Sequence, residues 1–124
     1  MKPGRSSSFA ELVDIYPTTC ELLGLDIPSD VQGESLVPVL KQPANRVREA
    51  ALSINKGYSL RAKKWHYIQY DNGSAELYDM EVDPDEFTNL AENEDHKDDV
   101  GEMQSLLERR IAAAELPVKR NSNK

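Results

Sequence analysis

The chain has 124 residues, which is enough for one domain with a modest core. Its formal net charge of −7 disfavours contact with polyanions, so neither a nucleic acid nor a membrane partner is expected. No stretch reaches the roughly 18 apolar residues of a membrane span. The one cysteine excludes an internal disulfide framework and a cysteine-rich zinc site.

The N-terminal third predicts one short helix followed by an irregular connector. Asp14 is predicted to cap the helix, Pro17 stands in its first turn, and Gly24 ends it. Apolar residues recur at helical spacing between these limits: Ile15, Tyr16, Leu22 and Leu23. Because prolines and glycine punctuate residues 25–47, this connector is expected to contain no regular strand.

The middle of the chain predicts a small antiparallel meander. Runs rich in β-branched and aromatic residues alternate with turn formers, and the expected strands are 50–54, 58–62, 65–70 and 75–80. Asn72-Gly73 between the last two runs is the strongest short signal for a β-hairpin.

The C-terminal part predicts a helix that covers the sheet. Between Asp95 and Glu115 the apolar residues follow helical periodicity: Val100, Met103, Leu106, Leu107, Ile111 and Ala114. Phe87 and Leu90 are expected to pack a single turn onto the sheet, and residues 117–124 are expected to form a disordered tail. The fold class predicted from these elements is α+β.

Cys20, His66 and His96 are of residue types that often act in catalysis or metal binding, but the sequence favours a non-catalytic explanation for each. Cys20 has no basic neighbour in sequence to activate its thiol. His66 alternates with Trp65 and Tyr67 along a strand, so it is expected to face away from them as a hydrogen-bonded structural histidine. His96 lies among charged residues and is expected to be solvated.

The acidic loop that begins at Asp79 resembles a calcium-binding loop only superficially. An EF-hand loop needs glycine at its sixth position and a bidentate acid at its twelfth. Here those positions hold Pro84 and Leu90, so no metal site is predicted.

Arg61 is the strongest candidate for ligand recognition. It lies in the basic stretch from Lys56 to Lys64, whereas residues 71–108 contain 14 acids and one lysine. A guanidinium in this position could bind a carboxylate or sulfate bidentately, or it could form a salt bridge with one of the many acids. No catalytic set is visible in the sequence.

Four segments, in order, resemble the C-terminal portion of a type I sulfatase, and most closely the iduronate-2-sulfatase group. They are Met1-Lys2-Pro3-Gly4-Arg5 with residues 10–18, Leu22-Leu23-Gly24-Leu25 with residues 32–36, residues 57–61 with 65–68, and Glu76-Leu77-Tyr78-Asp79 with Asp83-Pro84 and Leu90. The resemblance covers residues 1 to about 115.

The resemblance implies a division of the chain into three parts. Residues 1–47 would be the end of the catalytic α/β domain with the connector that leaves it, and 48–116 the C-terminal subdomain. The N-terminal helix would pack on the large α/β domain of a sulfatase. The rest of that catalytic domain is therefore the expected partner, and a homo-oligomer through the N-terminal helix is the alternative when that domain is absent.

The resemblance also implies an activity for a parent enzyme and none for this chain. Sulfatases hydrolyse sulfate esters with a formylglycine made in a Cys-x-Pro/Ala-Ser-Arg motif and with bound Ca²⁺, and the family is usually exported. Cys20 is followed by Glu21-Leu22-Leu23, so it is not that cysteine, and no cofactor is expected here.

The resulting hypothesis is an inactive C-terminal fragment of a sulfatase acting on sulfated sugars. Its residues Lys56, Tyr58 and Arg61 would line the substrate cleft of the parent. The alternative is a free-standing glycan-binding or self-assembling module without enzymatic activity.

Overall fold

The computed structural model describes residues 2–115 and has the α+β architecture predicted from the sequence. The described helices are α1 (Ile15–Leu22), α2 (Val37–Lys41) and α3 (Lys97–Glu115), and the strands are β1 (Ala50–Ile54), β2 (Gly57–Ala62), β3 (Trp65–Tyr70) and β4 (Ala75–Asp79). Short 3₁₀ turns at Leu12–Asp14 and Glu94–His96 precede α1 and α3. No helix within residues 2–115 is both long enough and apolar enough to cross a bilayer. The predicted tail, 117–124, lies outside the described residues.

The described chain divides into two compact units. The N-terminal unit comprises residues 2–49 together with the end of α3 from Ala114, and the second unit is Ala50–Ala113.

A buried ion pair organises the N-terminal unit. Asp14 precedes α1 as predicted, but its side chain makes no capping hydrogen bond to that helix. Its carboxylate instead accepts hydrogen bonds from the backbone N–H groups of Glu11 (2.7 Å) and Glu34 (2.8 Å), and from Arg48 Nη2. Arg48 Nη1 also lies 3.0 Å from a Glu11 carboxylate oxygen. The Asp14 carboxylate thus connects the start of α1 with the connector, through Glu34, and with Arg48, which lies just before β1.

The apolar residues of α1 are largely exposed. Ile15, Tyr16, Leu22 and Leu23 have exposed fractions between 55% and 68%, while Pro17, Thr18 and Cys20 are buried. The resemblance implies that these side chains pack on the large α/β domain of a sulfatase, and that contact stays a prediction. The N-terminal unit therefore presents an apolar surface.

The second unit is a four-stranded antiparallel meander in the order β1-β2-β3-β4. Asn72-Gly73 forms the predicted hairpin turn between β3 and β4, where Gly73 adopts a φ of +85°. The backbone N–H of Tyr70 donates to the carbonyl of Ser74 (2.9 Å) to close this turn. The predicted meander is confirmed.

The core of the second unit lies between one face of the sheet and α3. Its buried members are Ala50, Leu60, Ala62, Trp65, Tyr67, Leu77, Met103, Leu106 and Leu107, with Val100, Leu90 and Ile111 packed against them. The prediction for Phe87 was wrong, because this side chain is 86% exposed. The Asp83 carboxylate accepts hydrogen bonds from the Phe87 and Thr88 backbone N–H groups, and this turn leaves Phe87 outside the core.

Candidate functional site: the polar face of the sheet

The two faces of the sheet differ in chemistry because successive side chains of a strand point to opposite sides. Tyr58, Leu60 and Ala62 of β2 belong to the face that packs on α3. The opposite face, called here the polar face, is defined by Ser59, Arg61, His66, Glu76 and Tyr78.

The strand register brings the polar-face residues into neighbouring rows. Arg61 pairs with His66, which in turn pairs with Tyr78. The next row contains Ser59 and Glu76, both paired with Ile68 between them. Ser59 and His66 are therefore diagonal neighbours on adjacent strands, at a separation that side chains can bridge.

A chain of hydrogen bonds centred on His66 crosses this face. The Ser59 hydroxyl oxygen lies 2.7 Å from His66 Nε2, and His66 Nδ1 contacts a carboxylate oxygen of Glu86. An ionised carboxylate can only accept a hydrogen bond, so Nδ1 carries a ring proton, and in the neutral imidazole Nε2 presents its lone pair. In this neutral form the Ser59 hydroxyl donates to Nε2. The prediction of a hydrogen-bonded His66 that faces away from Trp65 and Tyr67 is confirmed.

Glu86 reaches His66 from the loop that follows β4. Its backbone φ is +59°, in the left-handed region that residues other than glycine rarely adopt. The same loop is held by the Asp83 carboxylate, which accepts hydrogen bonds of 3.0 Å and 2.9 Å from the next turn. The loop geometry thus fixes the Glu86 carboxylate against the imidazole.

The Arg61 side chain is partly buried, and it makes no hydrogen bond or ion pair with any other residue of 2–115. The two acids of this region are engaged elsewhere, since Glu76 accepts a 2.9 Å hydrogen bond from the Tyr78 hydroxyl and Glu86 contacts His66. The salt bridge left open as an alternative for Arg61 is not formed within the described residues. The guanidinium therefore keeps its donors available for an anion.

The other two predicted contact residues lie apart from Arg61. Lys56 is exposed in the turn between β1 and β2, at a φ of +51°. Tyr58 is half-buried against the core on the opposite face from Arg61. The structure thus brings Lys56 and Tyr58 to one end of the sheet but does not place Tyr58 beside Arg61.

Burial keeps the Tyr78 hydroxyl protonated. Desolvation, together with the hydrogen bond to the Glu76 carboxylate, raises the pKa of Tyr78 to about 12. Tyr78 therefore acts as a hydrogen-bond donor on the polar face at any physiological pH.

A small cleft adjoins Ser59 at the turn end of the sheet. It has a volume of about 80 Å³ and is lined by Ser53, Asn55, Gly57, Tyr58, Ser59, Ile68 and Tyr70. Metal-binding geometry is absent from residues 2–115, where no group of three or more His, Cys, Asp or Glu side chains could hold an ion.

Comparison with known families decides the identity of the fold. The profile of the family described as "N-sulphoglucosamine sulphohydrolase, C-terminal" matches residues 2–113. The chain belongs to this family. The resemblance to type I sulfatases is thereby confirmed at the level of the family, whereas the narrower likeness to the iduronate-2-sulfatase group stays a prediction.

Individual relatives of the family agree with this assignment. Arylsulfatase K of Xenopus laevis is 32% identical over 73% of this chain and 20% of its own length. An N-acetylglucosamine-6-O-sulfatase of Bacteroides thetaiotaomicron is 34% identical over 87% of this chain and 22% of its own length. The chain thus spans about a fifth of each of these relatives.

A solved structure shows the same fold. The structure of a protein in complex with its substrate D-glucosamine-2-N,6-O-disulfate superimposes with a TM-score of 0.79 and 28% identity. The match covers 93% of this chain and 27% of the other.

Sequence reasoning about this family domain missed the two residues that contact the His66 ring, Ser59 and Glu86. Alternation along β2 places Ser59 on the same face as Arg61, and this signal was available from the sequence. Glu86 gave no such signal, because its contact with His66 depends on a loop conformation with a positive φ.

Proposed function

We propose that this chain is the C-terminal part of a sulfatase that hydrolyses sulfate esters of glycosaminoglycan-type sugars, and that its polar face lines the substrate cleft. Family membership supports the reaction class, and the relatives that act on sulfated glucosamines support the substrate class. The observation that carries the role of the polar face is the unpaired guanidinium of Arg61.

Arg61 would bind an anionic group of the sugar chain. A guanidinium presents its donors in a planar fork that matches the oxygens of a sulfate or carboxylate. Lys56 would add positive charge from the turn, and Tyr58 would line the adjoining cleft. These contacts concern binding, so the chain alone would be inactive towards sulfate esters.

Reaction chemistry would come from the remaining part of the sulfatase. The residues described here do not fit a calcium site, and Cys20 is buried and is not followed by the formylglycine motif. Ca²⁺ and formylglycine would therefore be held by segments outside residues 2–115, and the catalytic domain would be the partner of the exposed face of α1.

Two positions on the sugar are candidates for the sulfate ester that the enzyme hydrolyses. The 6-O position of glucosamine is supported by the relatives that match most of the chain. The 2-O position of iduronate is supported by the resemblance of the four sequence segments to the iduronate-2-sulfatase group. An assay of sulfate release from 6-O-sulfated glucosamine and from 2-O-sulfated iduronate disaccharides separates the two.

The test begins with the DNA upstream of the Met1 codon. An open frame that encodes a Cys-x-Pro/Ala-Ser-Arg motif would define the longer enzyme, in which Arg61→Ala should raise KM about 10- to 100-fold while kcat changes little. This factor corresponds to about 1.5–3 kcal/mol for hydrogen bonds to a charged group. Arg61→Lys keeps the positive charge but loses the planar fork of donors, so its KM should lie between those of wild type and Arg61→Ala.

Arg109→Ala is the matched control, because Arg109 is an exposed arginine of α3. An unchanged KM with a lowered melting temperature for Arg61→Ala would assign this residue a structural role and contradict the proposal. Sulfate release by the 124-residue chain alone would overturn the claim of inactivity. Retention of the chain on heparin at low salt would favour the free-standing binding module instead.

A further inference from the structure

We propose that Ser59 is a histidine-activated nucleophile, and that Ser59, His66 and Glu86 form a second hydrolytic site that acts on small acyl esters. This site lies on the same polar face as the proposed anion contact of Arg61, but its chemistry needs no residue outside the second unit. The inference rests on the geometry of three side chains and on the space beside the serine.

The three side chains hold the relationship that serine nucleophiles require. The hydroxyl of Ser59 lies within 2.7 Å of His66 Nε2, and Glu86 contacts the other ring nitrogen. A general base within hydrogen-bond reach of a hydroxyl, itself oriented by a third group, is the signature of an activated nucleophile. The tautomer derived above leaves the Nε2 lone pair ready to accept the serine proton.

The orienting acid is fixed by its loop. Glu86 adopts a left-handed backbone conformation, and Asp83 holds the turn that follows it through two backbone hydrogen bonds. Uncommon backbone conformations of this kind concentrate at functional sites. Asp83 is therefore a positioning residue for Glu86.

The serine also has room for a substrate. Ser59 lines the cleft of about 80 Å³ at the turn end of the sheet. A cavity of this size admits an acyl group of a few heavy atoms, such as acetyl, and not a long chain. Arg61 lies two residues from Ser59 on the same face of the sheet but does not line this cleft.

The reaction follows from these roles. The Ser59 hydroxyl gives its proton to His66 Nε2 as its oxygen bonds to the ester carbonyl carbon. The carbon–oxygen bond to the alcohol then breaks, and the alcohol leaves with the proton from Nε2. Water next loses a proton to Nε2 and attacks the acyl carbon, which releases the carboxylic acid and restores Ser59. One ester and one water yield one acid and one alcohol.

The test uses a fluorophosphonate probe with the full 124-residue chain. We expect stoichiometric labelling of Ser59, located by peptide mass mapping, and no labelling of Ser59→Ala. His66→Gln should lower the labelling rate at least 100-fold, the lower range of general-base catalysis. Glu86→Gln should lower the rate less, because it changes the orienting group and not the base.

Ser105→Ala is the matched control. Ser105 is an exposed serine of α3 in the same unit and does not line the cleft beside Ser59. Its loss should leave labelling unchanged. Trp65, the only tryptophan, is buried in the second unit, so its fluorescence reports whether each variant remains folded.

Two results would overturn the proposal. One is a wild-type chain whose Ser59 is labelled no faster than other serines. The other is labelling of Ser59 that persists at the wild-type rate in a folded His66→Gln or Glu86→Gln variant. A burst of p-nitrophenol from p-nitrophenyl acetate, present in wild type and absent from Ser59→Ala, would support acylation with an ester substrate.

Discussion

Arg48 donates a hydrogen bond to the carboxylate of Asp14 across 34 positions of the chain. Both side chains are almost fully buried, with exposed fractions of 4% and 0%. Removing one partner of a buried ion pair leaves an uncompensated charge in the interior. Two backbone N–H groups satisfy further acceptor sites of Asp14, and Glu11 adds a second carboxylate to Arg48, whose buried Nε has no hydrogen-bond partner among residues 2–115.

Removing one partner of this pair should open the N-terminal unit. Arg48→Met leaves the Asp14 charge buried, and losses of about 3–5 kcal/mol are typical of such broken pairs. Cys20 is only 7% exposed and lies in the same unit, so its reaction with a thiol reagent reports local opening. We expect the thiol rate to rise at least 100-fold.

Asp14→Leu/Arg48→Met tests whether charge burial causes that effect. Replacing both partners by apolar residues of similar size is often neutral or stabilising, so the double variant should react more slowly than Arg48→Met. Asp26→Asn removes an exposed acid of the same unit that is not adjacent to Cys20 and should leave the rate unchanged. A wild-type thiol rate in Arg48→Met would contradict a stabilising role for the pair.

Two glycines should respond in opposite directions to alanine. A Cβ added at Gly33 would lie 2.0 Å from the carbonyl oxygen of Val13, so Gly33→Ala should separate the connector from α1 and speed the reaction of Cys20. A Cβ at Gly101 meets no atom within 4 Å. Since Gly101 lies within α3, Gly101→Ala should stabilise the second unit by about 0.5–1 kcal/mol in urea unfolding followed by Trp65 fluorescence. A wild-type rate of Cys20 reaction in Gly33→Ala would argue against the close approach at Gly33.

The elements predicted correctly from the sequence are those that local pattern decides. Alternation fixes which residues of β2 and β3 face the core, Asn72-Gly73 fixes the hairpin, and helical spacing fixes the covering face of α3. Each of these signals acts over a few residues, so a single sequence contains it.

The contacts that local pattern does not reveal are long-range. Asp14 was expected to cap a helix, because the sequence does not show that Arg48 approaches it. Phe87 was expected to be buried because it is apolar, but a turn held by Asp83 leaves it exposed. The contact between His66 and Glu86 depends on the same loop. In all three cases the surroundings of a side chain depend on the conformation of an irregular segment, which the local sequence pattern does not determine.

The contact between Lys64 and Asp79 should make stability depend on acid. Lys64 Nζ lies 2.7 Å from the Asp79 carboxylate, and this hydrogen bond, with support from the Glu81 backbone N–H, holds the pKa of Asp79 below its usual range. A lowered pKa in the folded state contributes stability above the unfolded pKa of about 3.9, and this contribution is lost as the pH falls through the folded value.

Asp79→Asn should therefore flatten the acid limb of the stability profile. Urea unfolding followed by Trp65 fluorescence should show a smaller loss of stability between pH 5 and about pH 2 in Asp79→Asn than in wild type. Glu108→Gln, which removes an exposed acid from the middle of α3, is the control and should keep the wild-type slope. An identical slope in Asp79→Asn and wild type would show that other carboxylates cause the acid sensitivity.

The exposed apolar surface around α1 should drive association of the chain when no catalytic domain covers it. Leu12 is 86% exposed and Leu23 68% exposed, and exposed apolar side chains of this kind favour burial against a partner. Sedimentation velocity should show a weight-average mass that rises with concentration. Leu12→Lys/Leu23→Lys should shift the chain towards the monomer by placing two like charges on this surface. Val82→Lys is the matched control, because Val82 is 80% exposed but lies in the second unit, and it should leave association unchanged. A wild-type chain that remains monomeric at every concentration would show that this surface is stable in water and does not drive pairing.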